Sequence, residues 1–228
     1  MTDNPTSSFQ INGVAIDVPD AILTEAIAQK LYDGTYEGDE ARAVDRCVKP
    51  EFRVLELGAG IGYVGSLAAQ KTAPANVLSV EANPALIPVI EANHVRNGAA
   101  EVTLMHGAVV GHAPDGATAK FHIAGGFTGS RLGARGGNQV EVPLIGFHDL
   151  VRAHRPHVVL MDVEGAEAHY FERNWKCPLR FVVMEIHPNQ YGPEVIKKII
   201  DRMSAMDMTY DPVTSRGKVL GFRRVWSA

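Results

Sequence analysis

Apolar positions along the chain fall into short blocks separated by polar and glycine-rich stretches, and the spacing within each block sets the element it predicts. "FQINGVAIDV" alternates apolar and polar residues on both sides of Asn12-Gly13, the pattern of a β-hairpin. Ile22, Leu23, Ala26, Ile27 and Leu31 then share one helical face. A helix is expected there, opened by Pro19 and stopped by Gly34. "TYEGDEARAVDRCV" starts another. "FRVLEL" is a short apolar strand, followed by a glycine-rich turn and the helix "YVGSLAAQK". "NVLSVE" is the next strand. Asn83 and Pro84 supply a cap and a first-turn proline for "ALIPVIEANHVRN", which runs to Gly98. Pro88 inside its first turns predicts an uneven start. "EVTLMHGAV", "PHVVLMD" and "RFVVMEI" complete a set of five strands, the last two each followed by a helical segment.

Strands alternating with helices imply right-handed crossovers, hence an α/β fold with a doubly wound, mostly parallel sheet. Two regions depart from alternation. Residues 118–147 read as strand, glycine-rich loop, strand. Near the C-terminus, "DMTYDPV" and "KVLGFRRVW" flank "TSRGK" as an antiparallel hairpin. An alternating sheet closed by such a hairpin is the arrangement of Rossmann-like methyltransferases. The expected organisation is an N-terminal hairpin and helices over residues 1–50, covering a cofactor site, and a core over residues 51–228 with the insertion at about 118–147.

Composition narrows the function classes. At 46% hydrophobic and 21% charged, the chain is ordinary for a globular protein and unlike a disordered one. A net charge of -4 provides no field for nucleic acid or an anionic membrane, so neither is expected as a partner. No apolar run is long enough to span a bilayer, and "MTDNPTSSFQ" lacks the parts of a signal peptide. Cys47 and Cys177 match no metal or redox spacing. A cytoplasmic location is the expectation; the oligomeric state is left open.

"LELGAGIGYVG" carries the first chemistry. Read from Gly60 through Gly62 to Gly65, it satisfies the dinucleotide fingerprint G-x-G-x-x-G. Read from Glu56 through Gly58, Gly60 and Gly62, it resembles motif I of methyltransferases that use S-adenosylmethionine. Charge separates the two. A pyrophosphate seeks backbone N–H groups and no nearby anion. S-adenosylmethionine brings a sulfonium, an ammonium and a single carboxylate, and Glu56 would attract the ammonium, directly or through water. Glu81 ends the next strand about twenty residues on, where an acid holds a ribose diol. This fits either cofactor. The rivals are an NAD-linked oxidoreductase, for which little chain remains to build a substrate domain, and a non-catalytic adenosyl-binding protein.

Further pieces, "GTYEGDEA", "VLSVEANP", "GAVVG", "MDVEGAE" and "VVMEIHP", complete a pattern similar to FkbM-type methyltransferases, with "DVEGAE" the most specific. The resemblance spans about Gly34 to Pro188. It implies a class I enzyme that methylates a hydroxyl oxygen of a small molecule such as a sugar or polyketide, with S-adenosylmethionine as cofactor. It also suggests that Tyr36 closes over the methionyl end and Glu37 takes its ammonium, and it raises Glu164 as an acceptor contact. Ala82, Gly107 and Ala108 are expected along the nucleoside, where small residues leave room.

Asp162 ends the fourth strand, at the sheet edge where doubly wound folds bind ligands. Glu164 and Glu167 are expected in the first turn of a following helix, complementing its dipole. Glu185 and His187 are two apart on the fifth strand and point the same way. A hydroxyl must lose its proton as it is methylated, and imidazole suits that near neutral pH. His187 is therefore the leading general base, with Asp162 its competitor and Glu185 beside them. The three could instead ligate a divalent metal, a reading ranked second, so no metal is assigned. Ser130, Arg131 and Arg135 lie in a glycine-rich loop expected to act as a lid, with arginines able to grip an anionic acceptor.

Overall fold

Asn12 and Gly13 both take left-handed backbone angles, with φ of 48° and 81°. The turn they form is the primed type, whose twist matches that of the strands it joins. It links β1 (Thr6–Ile11) to β2 (Val14–Pro19) in an antiparallel ribbon. The structure, a computed structural model, describes residues 5–124, 129–132 and 138–225. Pro19 closes β2 and does not open a helix. Its fixed φ suits extended chain, and a strand end tolerates the missing N–H. The helix α1 (Glu25–Tyr32) begins later, where the Thr24 hydroxyl accepts from the Ile27 amide. α2 (Gly38–Cys47) follows.

The central sheet has seven strands in the order β12-β13-β11-β10-β3-β4-β5. These are β3 (Val54–Leu57), β4 (Val77–Glu81), β5 (Thr103–His106), β10 (Val158–Met161), β11 (Phe181–Glu185), β12 (Met208–Tyr210) and β13 (Val219–Arg224). β11, β10, β3, β4 and β5 run parallel; β13 lies antiparallel to β11 and to β12. α3 (Tyr63–Lys71) crosses from β3 to β4, and α4 (Ile87–Arg96) from β4 to β5. α4 starts late, in keeping with Pro88: Leu86 and not Asn83 is its N-cap, and Asn83 and Pro84 fall in a preceding turn in which the Asn83 side chain accepts from the Ala85 amide. The chain returns through β10 on the other side of β3. That reversal opens a crevice at the carboxyl ends of β3 and β10.

Register sets what meets there. Met161 pairs with Leu57 on one side and Met184 on the other, and Leu57 pairs with Val80. Gly58, Glu81, Asp162 and Glu185 therefore leave the sheet at one level. Leu55, Leu57, Val159, Met161, Val182 and Met184 pack one face against α5 (Phe147–His154) and α6 (Pro193–Ala205). Val54, Val158 and Val183 pack the other against α2, α3 and the hairpin. Asn93 of α4 is fully buried; it accepts from the Asp17 amide and donates to the Ile61 carbonyl, tying β2 to the glycine turn.

The segment expected as one third strand divides at Gly107. β5 stays in the central sheet, whereas β6 (Ala108–Val110) joins a second sheet ordered β6-β9-β7-β8. Its other three strands are the insertion: β7 (Thr118–Ile123), β8 (Arg131–Leu132) and β9 (Asn138–Gly146). Between β10 and β11 there is no α-helix. Glu164 and Gly165 are left-handed, with φ of 51° and 105°, and only a 3₁₀ turn, Ala166–His169, follows. Among the described residues, no helix is long and apolar enough to cross a membrane.

Candidate active site

The turn after β3 folds back on β4: the amides of Gly58 and Ala59 donate to the Val80 carbonyl at 2.9 and 3.1 Å. The next amide, Gly60, donates to Glu81 Oε2 at 3.0 Å, and the Asn83 amide donates to Oε1 at 2.7 Å. The glycine turn and the acid at the end of β4, 21 residues apart, are thus one unit. Burial pushes the Glu81 carboxyl up to about 7, against the pull of its backbone donors.

A cavity opens above this unit. Gly58, Gly60, Glu81 and Ala82 form one wall. Tyr36 and Glu37 close one end. A β-carbon on Gly60 would stand 3.3 Å from Tyr36 Oη and 3.4 Å from Glu37 Oε1, so glycine keeps the space beneath them clear. Tyr36 is buried and donates a hydrogen bond to Glu37. Burial, then their mutual charge and hydrogen bond, raises the tyrosine well above its usual range; burial raises Glu37 as well. Glu37 also has a left-handed backbone, at φ 44°, a conformation that costs energy in a non-glycine residue and clusters at functional sites. At the other end lie Gly107 and Ala108, roofed by Phe121 and Leu132 of the insertion. Those two apolar side chains come from a region whose alternation showed strands but not where they fold.

Two expected cofactor contacts, Glu56 and Gly62, do not line the cavity, and two expected acceptor contacts do. Glu56 does not line the cavity. Its side chain points beneath α3, where a β-carbon on Gly65 would stand 2.6 Å from Oε2, and the Ser79 hydroxyl donates to it. It is 2% exposed, and burial raises its carboxyl to about 8. The carboxyl that does border the cavity beside the turn is that of Glu37. Gly62 faces Ile90 and His94 and caps α3. Ser130 and Arg131, expected on the acceptor, line the cofactor-side cavity, and the Ser130 hydroxyl accepts from the Ala124 amide. Arg135 lies outside the described residues.

The acids of the fourth strand converge on His187. Its Nε2 lies 3.4 Å from Asp162 Oδ1 and 3.5 Å from Glu164 Oε2; its Nδ1 lies 2.9 Å from Glu167 Oε1. Burial opposes an imidazolium here, but Asp162 and Glu167 outweigh it and raise His187 to about 10. It keeps its proton at neutral pH, the reverse of a free imidazole base. Glu164 accepts from the Gly129 amide at 2.8 Å and so ties the insertion to the strand end. Glu167 is the main departure from expectation. It is wholly buried and accepts from His187, the Tyr191 hydroxyl and the Gly165 amide. Burial works against its charge, but those donors hold the carboxyl below its ordinary range. With no helix there, the dipole argument does not apply to Glu164 or Glu167.

Beyond this cluster lies an open groove lined by Glu40, Glu185 and Lys218. Burial lifts Glu40 to about 7 and raises Glu185. Tyr36, Glu37, Asp162 and Glu164 border both the cavity and the groove.

A doubly wound sheet closed by an antiparallel hairpin, with a glycine turn bonded to an acid on the next strand, defines the class I methyltransferase fold. The sequence model of the methyltransferase FkbM domain matches residues 56–212, and the chain belongs to that family. S-adenosylmethionine is accordingly its cofactor, and the dinucleotide reading of the glycine turn is set aside. The fold is similar to that of a candidate transferase from Pyrococcus horikoshii, at 10% identity and a TM-score of 0.52, covering 97% of this chain and 72% of that one. It is also similar to a candidate S-adenosylmethionine-dependent methyltransferase from Streptococcus mutans, at 12% identity and 0.50, covering 98% and 56%. A precorrin-6y C5,15-methyltransferase from Geobacter metallireducens scores 0.48 at 13% identity, covering 92% and 93%. Identities this low show the fold alone. No curated protein matches the chain.

Proposed function

We propose that the protein methylates a hydroxyl oxygen of a small molecule. One observation carries the reading: Tyr36, Glu37, Asp162 and Glu164 face both the cavity and the groove, so donor and acceptor meet across the same four side chains. The residues present suit the cofactor. Glu81 accepts the ribose hydroxyls, Ala82, Gly107 and Ala108 flank the base, and Glu37 takes the ammonium under the cover of Tyr36. Within the N-terminal segment, Tyr36 and Glu37 make that cover. When bound, the cofactor supplies a methyl group already activated on a sulfonium.

Most of what the protein adds is alignment, which contributes roughly 7–11 kcal/mol where it is well met. Proton removal adds about 10²–10⁴-fold. The proton passes to a carboxylate of the Asp162–Glu164 pair, because His187 is already charged and serves to orient them. Carboxylates around the groove would repel a phosphate backbone, which favours a small acceptor over nucleic acid.

The test is mass spectrometry of cell extracts incubated with the protein and S-adenosylmethionine, searching for metabolites heavier by one methyl. An oxygen-methylated product that disappears with Asp162→Asn supports the proposal. Methylation on nitrogen or on RNA, or full turnover by both Asp162→Asn and Glu164→Gln, overturns it.

A further inference from the structure

Asp162, Glu185 and His187 each present one ligand atom to a common point, and the three atoms lie within 4.8 Å of one another. They come from the ends of the adjacent strands β10 and β11, fixed in register by the sheet. Two cis ligands of one octahedral ion with bonds of about 2.1 Å stand about 3 Å apart, so small rotamer changes close the set around a cation.

Two features distinguish this group from an ordinary acidic surface. The first is the imidazole. Glu167, wholly buried, accepts from Nδ1 at 2.9 Å and is itself held by the Tyr191 hydroxyl and the Gly165 amide. A buried carboxylate that fixes one ring nitrogen and leaves the other facing ligands is the usual support of a metal-bound histidine; the cation takes the place of the Nε2 proton, which is released to solvent, while Nδ1 keeps its proton for Glu167. The second is Asp162 Oδ1. It is shut off from solvent and has no hydrogen-bond partner, standing 3.4 Å from Nε2, long for a hydrogen bond. Apart from that long approach of the imidazole, the oxygen lacks a partner from the chain, which a bound cation would supply.

We propose that Asp162, Glu185 and His187 bind one divalent cation of the Mn²⁺ or Mg²⁺ class at the mouth of the acceptor groove. The inference rests on the methyltransferase reading and adds to it. Two oxygens and one nitrogen on a single side leave the remaining positions open toward the groove, where an acceptor hydroxyl or water completes the shell. The cation lowers the pKa of that hydroxyl, and its proton moves to Glu164, the neighbouring carboxylate that does not ligate. The acceptor class narrows to molecules that present a hydroxyl, alone or beside a second oxygen donor.

The probe is Mn²⁺ titrated into the full chain, with loss of the free-ion electron paramagnetic resonance signal as the readout. One saturable site per chain is expected, weakened at least tenfold by Asp162→Asn and by His187→Gln and unchanged by Glu141→Gln on β9. Circular dichroism confirms that each variant is folded. If a variant does not fold, the wild type alone decides: spin-echo spectra of bound Mn²⁺ show nitrogen coupling from an imidazole, and its absence overturns the site. Equal Mn²⁺ affinity in all variants overturns it as well. Calorimetry with S-adenosylmethionine in chelator runs in parallel. Cofactor binding without saturable Mn²⁺ binding removes the metal and leaves the methyltransferase reading standing.

Discussion

The carbonyl oxygen of Asp162 lies 1.9 Å from the point where a β-carbon on Gly58 would stand. The ends of β3 and β10 touch backbone to backbone, and Gly58 is left-handed at φ 84°. Gly58→Ala must therefore either push Asp162 away or unwind the turn. The left-handed conformation alone costs an L-residue roughly 1–2 kcal/mol. Melting should fall by at least about 2–4 °C, with weaker cofactor binding because Asp162 borders the cavity. Scanning calorimetry and a binding titration check this; an unchanged pair of values contradicts the close approach.

Glu37 gives a test that separates the ends of the cofactor. A hydrogen bond to a charged group contributes about 1.5–3 kcal/mol, so Glu37→Gln should weaken S-adenosylmethionine binding at least tenfold. Methylthioadenosine has the same nucleoside and no ammonium, and its affinity should stay within about twofold. Calorimetry with the two ligands reads the difference. If both weaken equally, Glu37 supports the cover and does not bind the ammonium.

Much of this arrangement is legible in the chain because it is local. Asn12-Gly13 specifies its turn, and the strand, glycine turn and helix around Gly58 declare themselves by period and spacing. Glu81 is found by its distance from the turn. What escapes is direction and long-range partnership. Alternation puts Glu56 on a face opposite Leu55 and Leu57, but not on which side the cofactor lies, and the side chain goes beneath α3. "EGAEAHYFER" has helical spacing, yet Gly165 breaks the backbone and Glu167 finds its partner in His187, 20 residues away. Pro19 fits a strand end as well as a helix start, and Thr24 settles where α1 begins. Phe121 and Leu132 reach the cavity only because β5 stops at Gly107 and the insertion folds back.

Glu56 leads to a pH prediction of definite sign. Its folded carboxyl is raised to about 8 by burial, so the folded state holds a proton that the unfolded chain releases near its ordinary value. Its contribution to stability is greatest at low pH and is lost as pH rises toward 8. Glu56→Gln lacks the buried charge. Its advantage over wild type should grow between about pH 5 and 8 and then level off, as urea unfolding at several pH values would show. Cofactor affinity should change less than about twofold, because Glu56 is outside the cavity. A tenfold loss would return it to the methionyl end of the ligand.

Glu167 and His187 provide the test of the cluster itself. The imidazole is held to about 10 against burial by Asp162 and Glu167 together. A raised histidine stabilises fully below its ordinary value near 6.5, and that stabilisation is lost as pH climbs toward 10. Glu167→Gln removes one of the two anions and should bring His187 part of the way down, Asp162 keeping it above the free value. Tyr191→Phe removes a donor to Glu167 and the acceptor of the His187 amide but no charge, and should move it less. Histidine Cε1 proton shifts followed over pH measure all three, with chelator present to exclude cations. A wild-type His187 titrating near 6.5 would mean that the acids around it are not gathered as described. The imidazole would then be free to act as the base, and Asp162 and Glu164 would lose the proton-accepting role assigned to them.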